Sequence, residues 1–212
     1  MKRIVILISG RGSNMQALLG ANLPCQIAAV ISNRADAQGL EVARTHGIAT
    51  AVVPHREYED RASFDAALAE VIDHHAPDVI VLAGFMRILT DGFVERYAGR
   101  LINIHPSLLP AYPGIDTHER ALLDGIKIHG CTVHFVTPTL DHGPIIIQAA
   151  VPVMREDTVQ SLSARVLREE HRIYAQAIRW LCHSQVWLND KGRVASDRLE
   201  QPGAALIFPG LE

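Results

Sequence analysis

Cysteine is scarce. Cys25, Cys131 and Cys182 are odd in number and far apart, which argues against a disulfide framework and against a CxxC zinc or redox pair. A reducing cytoplasm is the expected compartment. A basic excess is missing as well: 20 Lys and Arg face 23 Asp and Glu, for a formal net charge of −3, so nothing electrostatic argues for nucleic acid as a partner. No apolar run approaches the roughly 20 residues that span a bilayer, and the run at 4–8 is too short for a signal-peptide core and ends at Ser9-Gly10. No membrane is expected. Neither HxxxH nor HExxH occurs, and a strand would place His129 and His134 on opposite faces. His74-His75, at a predicted helix end, suit its negative terminus better than a metal, because adjacent helical residues diverge. No metal is expected. Finally, there is no GxxxxGK[ST] loop for a nucleoside triphosphate.

What is present alternates between strand and helix. With 212 residues, 48% of them hydrophobic and 20% charged, the chain can build one sizeable core, and a second full domain is not expected. β-Branched or alternating runs predict strands at 3–8, 27–31, 49–53, 78–83, 101–104, 128–136 and 145–151. Between them, helices are predicted from 14 to 19, 39 to 46, 61 to 75, 90 to 97 with Thr90 as cap, and 117 to 124. The clearest helix is the last. Asp157 with Gln160 has the form of its cap, and Val159, Leu162, Val166, Ile173, Ala177 and Leu181 step by three and four. This pattern predicts an α/β, Rossmann-like fold with a mostly parallel central sheet and helices on both faces. Residues 193–212 carry no readable chemistry and fit a hairpin or a loose tail.

Four features carry chemistry. The first strand feeds Ser9-Gly10-Arg11-Gly12-Ser13-Asn14, a glycine-rich turn whose unpaired N–H groups would suit an anion. Ser13 and Gln16 have the form of a capping box, which would start the helix at Asn14. Met15 replaces the third glycine of GxGxxG, which weakens a dinucleotide reading and leaves a single phosphate on Gly12, Ser13 and Asn14, or a bare βα turn. The second feature is Gly84-Phe85-Met86-Arg87-Ile88-Leu89, oddly apolar for the carboxyl edge of a sheet. It either lines a pocket for a flat apolar ligand or caps the core.

The third is Asn103-Ile104-His105-Pro106, where a buried strand gives way to a loop. Asn offers a fixed donor and acceptor, and His changes charge near neutral pH, although a strand-end His can also do no more than satisfy a carbonyl. Asp141, the one carboxylate in the loop 137–144, can orient His105 and favour its charged form, or close an Asx-turn on its own backbone. The fourth is Glu170, which interrupts the apolar stripe of the last helix. A carboxylate there needs an internal Arg or a cationic or hydroxyl-rich ligand.

The segments 8–14, 83–89, 103–110 and 133–136 with Asp141 closely resemble the folate-dependent phosphoribosylglycinamide formyltransferase family, in the family's order and over roughly residues 3–188. The resemblance implies the formyltransferase fold, with a catalytic domain over 1–188 and a C-terminal extension over 189–212. Its nucleotide-binding half would cover about 1–100 and its folate and catalytic half about 101–188. It implies transfer of a formyl group from the co-substrate 10-formyltetrahydrofolate to the amine of glycinamide ribonucleotide, a step of purine biosynthesis. Asn103, His105 and Asp141 would be catalytic, and Gly12, Ser13 and Asn14 would hold the phosphate. Glu170 would take the ribose or amine end, and Arg61, Met86, Arg87, Ile88 and Leu89 with Asn103 would bind folate.

The family commonly shows Asp-Gly-Gly where this chain has Asp141-His142-Gly143, which puts the backbone at 142 in question. Three other readings stand beside this one. Methionyl-tRNA formyltransferase carries a further C-terminal domain for which this chain has no room, and formyltetrahydrofolate deformylase carries an N-terminal regulatory domain. A noncatalytic nucleotide-binding module would explain the glycine turn alone. A homodimer is left open.

Overall fold

The protein is described by a computed structural model over residues 1–197. Of the predicted hairpin or tail at 193–212, the part from 198 onward lies outside the described residues. Strands β1 (Lys2–Ile8), β2 (Cys25–Ser32), β3 (Thr50–Val52), β4 (Val79–Leu82), β5 (Leu101–His105), β6 (Ile128–Phe135) and β7 (Ile145–Pro152) form a seven-stranded sheet in the order β3-β2-β1-β4-β5-β6-β7. The helices are α1 (Ser13–Leu19), α2 (Gln38–Thr45), α3 (Arg61–His74), α4 (Asp91–Arg96), α5 (Thr117–Leu123) and α6 (Val159–Cys182). β8 (Val186–Leu188) and β9 (Val194–Ser196) make a small antiparallel ribbon. The mostly parallel α/β architecture is the one expected: β1 runs parallel to β2 and β4, β2 to β3, and β4 to β5, while β6 and β7 pair antiparallel. None of the helices among the described residues is long and apolar enough to cross a membrane.

Two compact units divide the chain, one of residues 1–103 with 135–138 and the other of 104–134 with 139 onward. In the first, Ile4 to Ile8 of β1 are fully buried, as a strand covered on both faces requires. Phe64, Leu68 and Ile72 of α3 pack into the same core, each burial worth about 1.5–3 kcal/mol. Asp60 caps α3 through a reciprocal box with Ser63. Thr90 accepts the Phe93 N–H to start α4, as predicted.

In the second unit β6 is buried along nearly its whole length, and α6 buries Leu162, Val166, Ile173, Tyr174, Ala177, Ile178 and Leu181. Gly130 is required there, since a Cβ would stand 1.9 Å from the Ala149 carbonyl oxygen on β7.

Three local expectations are overturned. Ser13 does not cap α1: the helix begins at Ser13, and Gly12, at φ 72°, takes the cap position with no side-chain bond. A left-handed residue there turns the chain so sharply that Gln16 reaches back to the Arg11 carbonyl instead, at 3.0 Å. Asp157 does not cap α6 with Gln160. Thr158 does so in a box with Ser161, because Arg165, eight residues on, engages both Asp157 oxygens at 2.6 and 2.8 Å. The pairing holds the Asp157 carboxyl well below the usual carboxylate range. Val159, expected in the buried stripe, is 40% exposed at the first position of α6.

Candidate active site

In the first unit the sheet's carboxyl edge carries the glycine turn. Residues Ser9 to Asn14 with Ala83, Gly84 and Met86 line a cleft of ≈ 220 Å³. The left-handed Gly12 followed by helical residues forms a concave run of N–H groups suited to an anion. Because α1 has 7 residues, these N–H groups matter more than a helix dipole. Met15 is fully buried, and a Cβ on Gly12 would meet its methyl carbon at 3.2 Å. The side chain fills the space behind the turn. Asn14 is buried and Ser13 half-buried at the turn's end.

The loop 84–89 splits its apolar residues between two tasks. Phe85 joins the core and Leu89 packs against it, whereas Met86 and Ile88 are 69% and 59% exposed. The core-capping expectation holds for Phe85 and Leu89, while Met86 and Ile88 face outward. Arg87 is half-buried, and its Nε has no partner among the described residues. Arg61, first residue of α3, is exposed. The loop's ends are tied down: the Met86 N–H donates to Ser9 Oγ at 2.7 Å and the Thr90 N–H to Asp65 Oδ2 at 2.6 Å. Ser9 and Asp65 were not singled out from the sequence. An Asp on the apolar face of a predicted helix was the available signal.

In the second unit His105 ends β5, 5% exposed. Its Nε2 lies 2.9 Å from the Tyr112 carbonyl oxygen and therefore carries a proton that it donates. Its Nδ1 faces Asp141 Oδ2 at 3.6 Å, and His134 Nε2 stands 4.0 Å from the other Asp141 oxygen. Asp141 is left-handed at φ 52° and accepts the Gly114 N–H at 2.8 Å. Its carboxylate thus turns toward His105 and the 112–114 turn rather than only toward its own backbone. The left-handed residue is Asp141 and not 142, so His142 takes no strained backbone, and its Nδ1 bonds the Leu140 carbonyl at 2.9 Å.

Asn103 lies two residues before His105 on the same strand, half-buried. Glu170 is buried on α6, and its charge, after burial itself, helps push the Cys131 thiol up to about 12.

The loop after His105 is fixed by residues that the sequence did not flag. Thr132 on β6 accepts the Leu109 N–H and donates to the Ser107 carbonyl at 2.7 Å, Gln148 donates to the Leu109 carbonyl, and Thr117 donates to that of Pro106. His118 and His129 also meet in this unit, with His118 Nδ1 3.2 Å from His129 Nε2. Burial, then the neighbouring His105, lowers the pKa of His118; burial, then His118, lowers that of His129 to about 4. Burial thus favours the neutral form of both, whereas His105 and His134 each face an oxygen of Asp141. Among the described residues no group of His, Cys, Asp and Glu could hold a metal ion.

In the second unit a buried imidazole at a strand end has a carboxylate turned toward it, and in the first a glycine turn lines a cleft suited to an anion. The model of the formyl transferase family matches residues 2–178, and the chain belongs to that family. Among relatives, it is 50% identical over 191 residues to phosphoribosylglycinamide formyltransferase of Escherichia coli (strain K12), spanning 88% of this chain and 90% of that one. It is 46% identical over 196 residues to the trifunctional purine biosynthetic protein adenosine-3 of Homo sapiens, of which it spans 19%. The solved phosphoribosylglycinamide formyltransferase from Coxiella burnetii superposes with a TM-score of 0.89 at 48% identity, over 92% of this chain and 93% of that one.

Proposed function

We propose that this chain transfers a formyl group from 10-formyltetrahydrofolate to the amine of glycinamide ribonucleotide, giving the N-formyl product and tetrahydrofolate, a step of purine biosynthesis. The observation that carries the reading is Asp141 set against the buried imidazole of His105, in a member of the formyl transferase family. The substrate amine attacks the formyl carbon directly, so no enzyme nucleophile is needed. Its lone pair forms the new C–N bond while the carbonyl electrons move onto oxygen. That oxyanion is stabilised by the Asn103 amide and by the imidazole of His105. Collapse of the intermediate breaks the bond to the folate nitrogen, and the proton lost by the attacking amine is delivered to that nitrogen through water.

Asp141 faces the His105 ring and fixes its orientation. Because Nδ1 stands 3.6 Å from the carboxylate, its proton is not fully committed there and remains available to the oxyanion. Gly12, Ser13 and Asn14 hold the phosphate, and Glu170 accepts from the ribose or amine end. Arg61, Met86, Arg87, Ile88 and Leu89, with Asn103, bind the folate. A reducing cytoplasm is the compartment that suits three cysteines scattered through the chain. Small-molecule substrates are the partners, and a homodimer remains compatible with the reading.

The test is folate release, followed spectroscopically with and without glycinamide ribonucleotide. Release that requires the ribonucleotide and yields one formylated amine per folate is expected. Equal release in water alone would replace the transferase with a deformylase.

A further inference from the structure

Ser9 stands outside the groups assigned to substrate, yet its backbone and hydroxyl both make buried hydrogen bonds. It is the first residue after β1, and its own N–H donates to the Gly84 carbonyl at 3.2 Å. Its hydroxyl, 8% exposed at the residue, donates to Asn33 Oδ1 at 2.6 Å and accepts the Met86 N–H at 2.7 Å. Donor and acceptor roles are thus both used. Asn33 is itself fixed, since its side-chain nitrogen and its main-chain carbonyl oxygen lie 3.1 and 2.9 Å from His55 Nδ1. A proton on that nitrogen serves the carbonyl, and its absence lets the nitrogen accept from the amide. The Ser9 hydroxyl therefore cannot rotate without losing a buried bond.

The two segments that it joins are the two sides of one cleft. Residues 9–14 form the turn and Met86 belongs to the loop 84–89, and both line the same cleft. The far end of that loop is pinned separately, through Asp65 and Thr90. A shift of the turn on binding an anion is therefore passed to the backbone at Met86, with little freedom for the loop to absorb it.

We infer that Ser9 is a positioning residue that couples the anion turn to the loop 84–89, so that occupancy of one raises the affinity of the other. This rests on the assignment of glycinamide ribonucleotide to the turn and folate to the loop. A coupling carried by two short buried hydrogen bonds falls at the lower part of the usual allosteric range, about fivefold to twentyfold in affinity.

Calorimetry measures it, with the ribonucleotide titrated alone and again at saturating tetrahydrofolate, which carries no formyl group to transfer. In the native chain the ratio of the two dissociation constants is expected to be about five or more. In Ser9→Ala both ligands still bind and the ratio falls to near one, while Ser9→Thr, which keeps the hydroxyl, restores it. A purely structural serine would lower the melting temperature and leave the ratio unchanged, which overturns the inference. So does a ratio of one in the native chain. If Ser9→Ala does not fold, Asn33→Ala decides, because it releases the hydroxyl without removing it: a reduced ratio supports the coupling and an unchanged one refutes it. Failure of both ligands to bind the native chain would sink the functional reading itself, whereas binding of both without coupling sinks only this inference.

Discussion

Asp141 divides its carboxylate unequally: Oδ2 takes the Gly114 N–H at 2.8 Å and stands 3.6 Å from Nδ1 of His105. The first contact is a hydrogen bond and the second is an electrostatic approach that a small motion would close. One side chain thereby fixes the turn that carries the Tyr112 carbonyl and faces the other nitrogen of the ring that this carbonyl holds. His105 is clamped from both sides by groups that meet only through the fold.

Asp141→Asn retains an oxygen for Gly114 and removes the charge facing His105. The variant is expected to fold with little change in melting temperature and to lose about two or more orders of magnitude in kcat. The Michaelis constants should move less. Near-native turnover in steady-state kinetics would confine Asp141 to holding the turn.

The anion turn is expected to select a single phosphate. Glycinamide riboside lacking the phosphate should lose about two orders of magnitude in kcat/KM, the scale of one or two charge-assisted hydrogen bonds. NAD should give no heat of binding in calorimetry, since Met15 closes the space behind Gly12. Tight NAD binding would return the turn to the dinucleotide class.

Glu170→Leu separates function from stability. Glu170 is buried between Val166 and Ile173 on the core face of α6, and a leucine completes that stripe while removing a carboxylate that is costly to keep dry. KM for the ribonucleotide is expected to rise about tenfold or more, with a smaller effect on melting temperature. A large fall in melting temperature with an unchanged KM would mark Glu170 as a structural ion-pair partner.

His129 should make the protein sensitive to mild acid. Its folded-state pKa is lowered to about 4 by burial and by His118, while an unfolded histidine titrates at about 6.5. Between those values the unfolded chain binds the extra proton, so stability is full above about pH 6.5 and falls as the pH drops toward 4. The loss is on the order of 2 kcal/mol, and His118, lowered in the same direction, adds to it. His129→Gln should flatten denaturant melts over that window. An equally steep profile in the variant would place the acid sensitivity elsewhere.

The sequence by itself determined the order of strands and helices, because burial on both faces demands continuous β-branched runs such as 4–8 and one-sided burial demands steps of three and four such as 162–181. It also marked Asn103, His105, Asp141 and Glu170, each a polar residue at a position where the local pattern asks for something else. It did not decide which neighbour each polar group would choose. Asp157 and Ser13 had the form of caps, yet Asp157 went to Arg165 and Gly12 took the place of Ser13, since a cap competes with every donor that the fold brings near. Thr132, Gln148 and Thr117, which fix the loop after His105, and Ser9 and Asp65, which tie down the loop 84–89, look like ordinary residues in the chain. Their partners lie 11 to 77 positions away, and hydrogen bonds at such separations leave no local pattern to read. Only the tertiary structure decided them, because a buried polar group takes whichever partner the packed backbone presents.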